Sequence, residues 1–225
     1  VRIVVTPCLT MAANPINEGD LIMEVIKISN MTGKLKGFRA ISTNTLTNEF
    51  CVDMFNRDDK DLICTECYSA KNLQGVRKNC VSSRQHNSEI LSGGIIPPHM
   101  LPTLLDAFIR ISADGELINL THLENIHNIA LHNPHCVLGI WTKRKDLINK
   151  FYRTRTKPAN MILIFSNARI DKPMHTVPKH FDRTFNTVRK NNFKELQNCT
   201  GQKCIDCMAC YLPSSGVTQI VEAVK

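Results

Sequence analysis

Four thiols fall within a dozen residues near the end of the sequence, Cys199-Thr-Gly-Gln-Lys-Cys204-Ile-Asp-Cys207-Met-Ala-Cys210-Tyr211, spaced C-x4-C-x2-C-x2-C. A second close pair, Cys64-Thr-Glu-Cys67-Tyr68, lies far upstream, so a fold that uses both must draw distant parts of the chain together. Thiolates at x2 spacing can point into one small volume, because the turn between them exposes backbone N-H groups that offset clustered negative charge. Soft sulfur donors without adjacent histidine select zinc, copper(I) or an iron-sulfur cluster over magnesium or calcium. Two zinc knuckles need only Cys64, Cys67, Cys204 and Cys207 and would leave Cys210 idle. A cubane spreads its ligands over separate irons and accepts a C-x2-C-x2-C run plus a distant thiolate, which suits this run better. Zinc, and reduced or disulfide-bonded cysteines without metal, stay open as alternatives.

The 10 cysteines are clustered rather than dispersed, which in a reducing compartment reads as metal binding and not as a disulfide scaffold. No stretch approaches the roughly 20 apolar residues of a membrane span, and none resembles a signal peptide, so a cytoplasmic protein with no membrane partner is expected. With 225 residues, 43% of them hydrophobic, the chain can bury one sizeable core, and a single domain is expected over 1–225. Within it, 1–50 reads as a β-rich start, 51–80 as a first cysteine loop, 105–190 as a βα core and 199–211 as a second cysteine loop. The net charge of +8 concentrates between Lys143 and Lys157, where seven basic residues face only Asp146. Such a segment could neutralise phosphates, and a solvated helix face explains it equally well.

Short apolar runs at Val1–Val5, Leu21–Ile28 and Lys36–Ser42, separated by turn signals, predict strands. A polar segment from Ser42 to Glu49 leads to Cys51, and an acidic loop from Asn56 to Asp61 leads to the Cys64/Cys67 pair. Helices are expected from Tyr68 to Leu73, from Ser82 to Leu91 with Ser82 or Ser83 as cap, and from Leu101 to Leu105. Then Phe108–Ser112, Val137–Trp141 and Met161–Phe165 read as strands alternating with helices at His122–Leu131 and Lys145–Tyr152, and His180–Val188 as one strand more. Continuous apolar strands alternating with amphipathic helices predict an α/β fold, a partial parallel βα sheet or barrel covered on both faces.

Parallel sheets place their chemistry at the carboxyl ends of the strands. There stand Asp114 and Glu116, candidate acid or base groups beside Gly115, and Lys143, a candidate anchor for an anionic substrate or counter-charge for a cluster. A solvated turn around Gly115 is the plainer account of the two carboxylates. Both cysteine loops flank this sheet unit and could close over the same end. Tyr68 and Tyr211 each follow a ligand cysteine and could shield sulfur from water. Cys199 could be a further ligand, while Cys8, Cys80 and Cys136 are isolated and read as small buried hydrophobes. His122, His127, His132 and His135 do not share a face cleanly and read as core or surface groups. No Gly-rich phosphate loop, Gly-x-Ser-x-Gly elbow or His-Glu-x-x-His motif is present.

The ordered set Cys51, Cys64-x2-Cys67-Tyr68-Ser-Ala, Arg110-Ile-Ser-Ala-Asp114-Gly115-Glu116, Trp141-Thr142-Lys143, Ser166-Asn167 and Cys199 through Cys204-x2-Cys207-x2-Cys210-Tyr211 resembles the phage gene product eighty-eight family over about residues 40 to 212. More loosely it is similar to phage proteins with a partial βα barrel like that of radical SAM enzymes. The C-x3-C-x2-C signature of those enzymes is absent, so their chemistry is not carried over. The family resemblance implies a cluster-binding protein of a bacterial virus, acting in the host cytoplasm, with Cys51, Cys64, Cys67, Cys204, Cys207 and Cys210 as its motif cysteines.

These strands lead to one expectation. The chain is a phage-encoded protein that binds a 4Fe-4S-type cluster in a redox or catalytic role, with an electron donor or small-molecule substrate as partner. Whether it is an enzyme stays open. The alternative is a zinc-stapled nucleic-acid-binding protein that uses the basic segment from 143 to 157.

Overall fold

The computed structural model describes residues 26 to 224. They form a mixed α/β fold around a seven-stranded sheet whose strands lie side by side in chain order. β1 (Ile28–Asn30) runs antiparallel to β2 (Arg39–Ile41). From β2 onward every neighbour is parallel: β3 (Phe108–Ile111), β4 (Val137–Thr142), β5 (Met161–Ile170), β6 (Arg183–Val188) and β7 (Gln219–Ala223). The expected β-α-β-α-β unit is therefore present as β3, α4 (Leu120–His132), β4, α5 (Lys145–Phe151) and β5. The run Val1–Val5 and residues 21–25 of the run Leu21–Ile28, like Cys8, lie outside the described residues.

Alternation along the strands divides the sheet into two unlike faces. Ile109, Ile111, Leu138, Ile140, Met161 and Leu163 point to one face, where α3 (Val81–Gly93), α4 and α5 cover them with Leu91, Ile126, Ile129, Ile148 and Phe151. Each fully buried aliphatic side chain there contributes about 1.5–3 kcal/mol of transfer free energy, which anchors the helices. Phe38, Ala40, Phe108, Trp141, Ile162, Ile164 and Ile220 point to the other face. That face is covered by the cysteine-rich terminal segment, through Cys199, Cys204, Met208, Cys210 and Tyr211.

Several local expectations are corrected. The stretch Leu101–Leu105 is not helical: a 3-10 turn at Pro98–Met100 is followed by extended chain. There the buried Asn133 amide accepts from Leu104 N at 2.7 Å and donates to Pro102 O at 2.9 Å, taking up groups that helical bonds would use. The helix expected from Ser82 begins instead at Val81, with Cys80 at the cap position, and Ser83 Oγ donates back to Cys80 O at 2.9 Å. The strand expected from His180 starts at Arg183, because His180 adopts φ +69° and cannot continue an extended run. The chain around Cys51 is helical, α1 (Glu49–Phe55), and β7 adds a strand beyond the terminal cysteines.

Candidate functional site

By place in the fold and by the charges that act on one another, the thiols fall into two sets, not one. Cys51, Cys64 and Cys67 form the first, beyond the carboxyl ends of the strands. Cys51 lies in the first turn of α1, whose cap Asn48 accepts from Cys51 N at 3.3 Å and donates to Glu116 O at 2.9 Å. Cys64 sits in a 3-10 turn at Ile63–Glu66, and Cys67 caps α2 (Tyr68–Gln74). The twelve-residue gap between Cys51 and Cys64 closes because this turn packs against α1. The acidic loop between them is a tether to β5: Arg169 pairs with Asp59 at 2.6 Å, Ile170 N donates to Asp61 O at 2.8 Å, and Leu62 bridges Arg169.

Lys143 is the cation of this group. Its Nζ donates to Ser166 Oγ at 3.0 Å, and its charge acts on both Cys51 and Cys64. Burial raises the Cys51 thiol pKa, and the negative charges of Glu116 and Cys67 raise it further against the pull of Lys143. Burial also raises Cys64, and there Lys143 is the strongest opposing influence.

The two candidate carboxylates are not on a solvated turn. Asp114 is 2% exposed and Glu116 4% exposed. Asp114 accepts from Ser69 Oγ at 2.9 Å and pairs with the buried Arg84 at 3.2 Å, which ties α2 and α3 to the end of β3. Glu116 accepts from Thr142 Oγ1 at 2.5 Å, Leu117 N at 2.8 Å and Lys143 N at 2.8 Å, and burial raises its pKa. These bonds set the position of Lys143 and of the cap under Cys51. Gly115 between them has φ +80°, and a Cβ there would lie 2.2 Å from Thr43 Oγ1, so glycine is required.

Cys199, Cys204, Cys207 and Cys210 form the second group, on the sheet face without helices. Cys204 and Cys207 lie on the single turn α6 (Cys204–Cys207), and Met208 then reverses the chain at φ +53°. Cys199 is held beside β7 by its N-H to Val221 O at 3.0 Å. The buried Arg183 fixes the exit of the segment by donating to the carbonyls of Cys210 at 2.6 Å, Leu212 at 2.6 Å and Val217 at 2.7 Å. Lys34 Nζ lies 3.6 Å from Cys199 Sγ and 2.6 Å from Glu222 Oε1. Lys34 and Arg110 act electrostatically on Cys204, and Arg110 and Arg183 on Cys210, whose thiol burial pushes up to about 12. The strongest electrostatic neighbours of each perturbed thiol include other members of its own group and none of the other group.

Tyr211 is the keystone of this second group. It stacks on Phe38 with ring centroids 4.5 Å apart and lies 5.4 Å from the Trp141 ring. Gly139 admits it, since a Cβ at that position would stand 3.0 Å from the Tyr211 ring. Arg110 lies over the Trp141 ring at 3.7 Å and close enough to Tyr211 for its charge to act on the phenol. The Arg110 side chain also acts on the Tyr211 hydroxyl by hydrogen bonding, while Arg110 Nε is buried with no hydrogen-bond partner among the described residues. Tyr68, by contrast, is more than half exposed, with its hydroxyl donating to Ala113 O at 3.3 Å.

Among the described residues, no three His, Cys, Asp or Glu side chains form a group arranged to hold a single metal ion. Cys80 and Cys136 are buried, as isolated thiols were expected to be. His122 is buried with Nδ1 accepting from Ile118 N at 3.2 Å, and burial lowers its pKa to about 3, so the ring is neutral. The basic segment is broken up by pairing: Arg144 with Asp146, Arg155 with Glu124 and Lys157 with Asp182, while Lys143 turns toward the first thiols. No helix among the described residues is long and apolar enough to cross a membrane. Family models, curated proteins and solved structures give no match to this chain.

Proposed function

We propose that this chain is a phage-encoded iron-sulfur protein, with a 4Fe-4S-type cluster on Cys199, Cys204, Cys207 and Cys210 and a redox or cluster-dependent catalytic role. The observation that carries this reading is the surroundings of those four thiols. A cluster with four thiolates is a large, soft anion whose sulfurs accept hydrogen bonds. Lys34 and Arg110 supply positive charge beside the thiols, and Arg110 Nε is a buried donor without a partner among the described residues. A buried donor left without an acceptor costs about 1–3 kcal/mol, so an acceptor at this face would repay it. When bound, such a cluster supplies one-electron transfer at a potential set by charge, hydrogen bonding and burial.

The chain's own residues do the rest. Arg183 and β7 hold the two ends of the segment, Tyr211 and Trp141 keep water from the sheet face, and Lys34 offsets thiolate charge. Thiolates on one tetrahedral ion, with metal-sulfur bonds near 2.3 Å, must converge to about 3.8 Å, whereas cubane ligands stand on different irons. The C-x2-C-x2-C run offers three thiolates from one loop, which a cubane takes on separate irons. The zinc reading draws on Cys64, Cys67, Cys204 and Cys207, which fall in different groups, and three of the seven basic residues of its nucleic-acid face are ion-paired.

Purification without oxygen tests the proposal. The expected product is brown, with broad visible absorbance and acid-labile sulfide matching its iron. A colourless protein carrying stoichiometric zinc and binding nucleic acid in a salt-sensitive way would overturn it.

A further inference from the structure

Among the described residues two arginines are buried, Arg84 and Arg183, each 3% exposed, and they are partnered differently. Arg84 pairs with the buried carboxylate of Asp114 at 3.2 Å and donates to Ser29 Oγ at 2.7 Å. Arg183, at the start of β6, pairs with no carboxylate among the described residues. Its Nη1 donates to Cys210 O at 2.6 Å, its Nη2 to Leu212 O at 2.6 Å and Ser215 Oγ at 3.0 Å, and its Nε to Val217 O at 2.7 Å. All four acceptors are neutral. The acids on either side are held by lysines: Asp182, its neighbour in the chain, takes Lys157 at 2.9 Å and Leu163 N at 2.7 Å, and Glu222 on β7 takes Lys34 at 2.6 Å. Such bonds satisfy the guanidinium hydrogens but leave its charge without a counter-ion, and a buried charge is ordinarily paired. A clamp on three carbonyls needs donors, not a net charge. The charge that acts most strongly on Arg183 is that of Cys210, ahead of Asp182, and Arg183 acts on Cys210 in return.

We propose that Arg183 is a positioning residue whose counter-ion is the cluster on the terminal thiols: its hydrogen-bond fork fixes the backbone at Cys210, and its charge makes that cluster easier to reduce. The inference rests on the iron-sulfur reading above. Reduction adds one electron from an external one-electron donor, and one negative charge, with no proton moved, so a fixed buried cation favours the reduced form. Arg183 differs in this from Lys34, which is partly exposed and already has the carboxylate of Glu222. The two roles of Arg183 can be separated, because lysine keeps the charge and loses the planar fork, whereas glutamine keeps a donor and loses the charge.

The test titrates the wild type, Arg183→Lys and Arg183→Gln with dithionite, each purified without oxygen and with iron and sulfide counted per chain. With iron content equal, the reduction equilibrium of Arg183→Gln is expected to fall by at least about tenfold, a potential about 59 mV more negative, and that of Arg183→Lys to stay at the wild-type value. Equal potentials in Arg183→Gln and the wild type would overturn the role of the charge. A lysine variant sharing the lowered potential of the glutamine variant would do the same, since the fork alone would then matter. Should Arg183→Gln fail to fold or to load, Arg183→Lys decides: full iron at the wild-type potential is expected, and loss of iron or of the folded chain there as well would overturn the proposal. A wild type without iron or sulfide would overturn the iron-sulfur reading itself, whereas full iron with unshifted potentials would overturn the role of Arg183 alone.

Discussion

The two thiol groups are built by opposite means. The terminal group comes from one short stretch of chain laid on a sheet face, held by aromatic packing of Tyr211 against Phe38 and Trp141, with Gly139 leaving room, and at its ends by Arg183 and β7. The first group is collected from a helix, a turn and a helix cap, and what holds it is buried polar bonding: Asp114 to Arg84 and Ser69, Glu116 to Thr142 and Lys143, Asn48 to Glu116. Apolar packing is tolerant of small adjustments, whereas a buried polar network fails when one partner is lost. Each group should therefore be vulnerable to a different kind of substitution, and largely independent of damage to the other.

The largest separation should come from Asp114→Asn. Leaving Arg84 buried and unpaired costs about 3–5 kcal/mol. Chemical denaturation should show that loss, with iron on the terminal group retained in the protein that stays folded. Gly139→Ala should do the reverse at lower cost, about 1–3 kcal/mol for overpacking against Tyr211, with the terminal cluster released first on warming.

A third difference is expected in acid. His122 bonds the backbone at Ile118, just past Glu116, and its folded pKa of about 3 lies below the ordinary value of 6.5. Between those values the unfolded chain takes up the proton and the folded one does not, so stability falls as pH drops through this window, by about 1.4 kcal/mol per pH unit. Replacing His122 by Gln should flatten that slope in denaturation curves measured from pH 6.5 to pH 4. The smallest effect is expected from Lys34→Met, which removes a partly exposed cation beside Cys199 and should make the potential of the terminal cluster more negative in a redox titration while leaving the first group unchanged.

The same contrast explains what was legible in the sequence. The terminal thiols could be read because spacing within one loop is itself the signal, and the βα core because apolar strands alternate with amphipathic helices. Cys199, separated from the x2 run by four residues, was left open as a further ligand, because its bond to Val221 of β7 holds it there and β7 was itself unforeseen. The division into two groups was hidden because it depends on which sheet face each loop covers. Asp114 and Glu116 looked like a solvated turn because charge in a glycine loop usually is one. Their burial follows from Arg84 and Thr142, distant partners that no local pattern reveals.

Iron and acid-labile sulfide per chain, on protein purified and reconstituted without oxygen, test the central claim most directly. One cubane on the terminal thiols predicts about four of each, in a protein with the broad visible absorbance of such clusters. Zinc without sulfide, or no metal at all, would contradict the account.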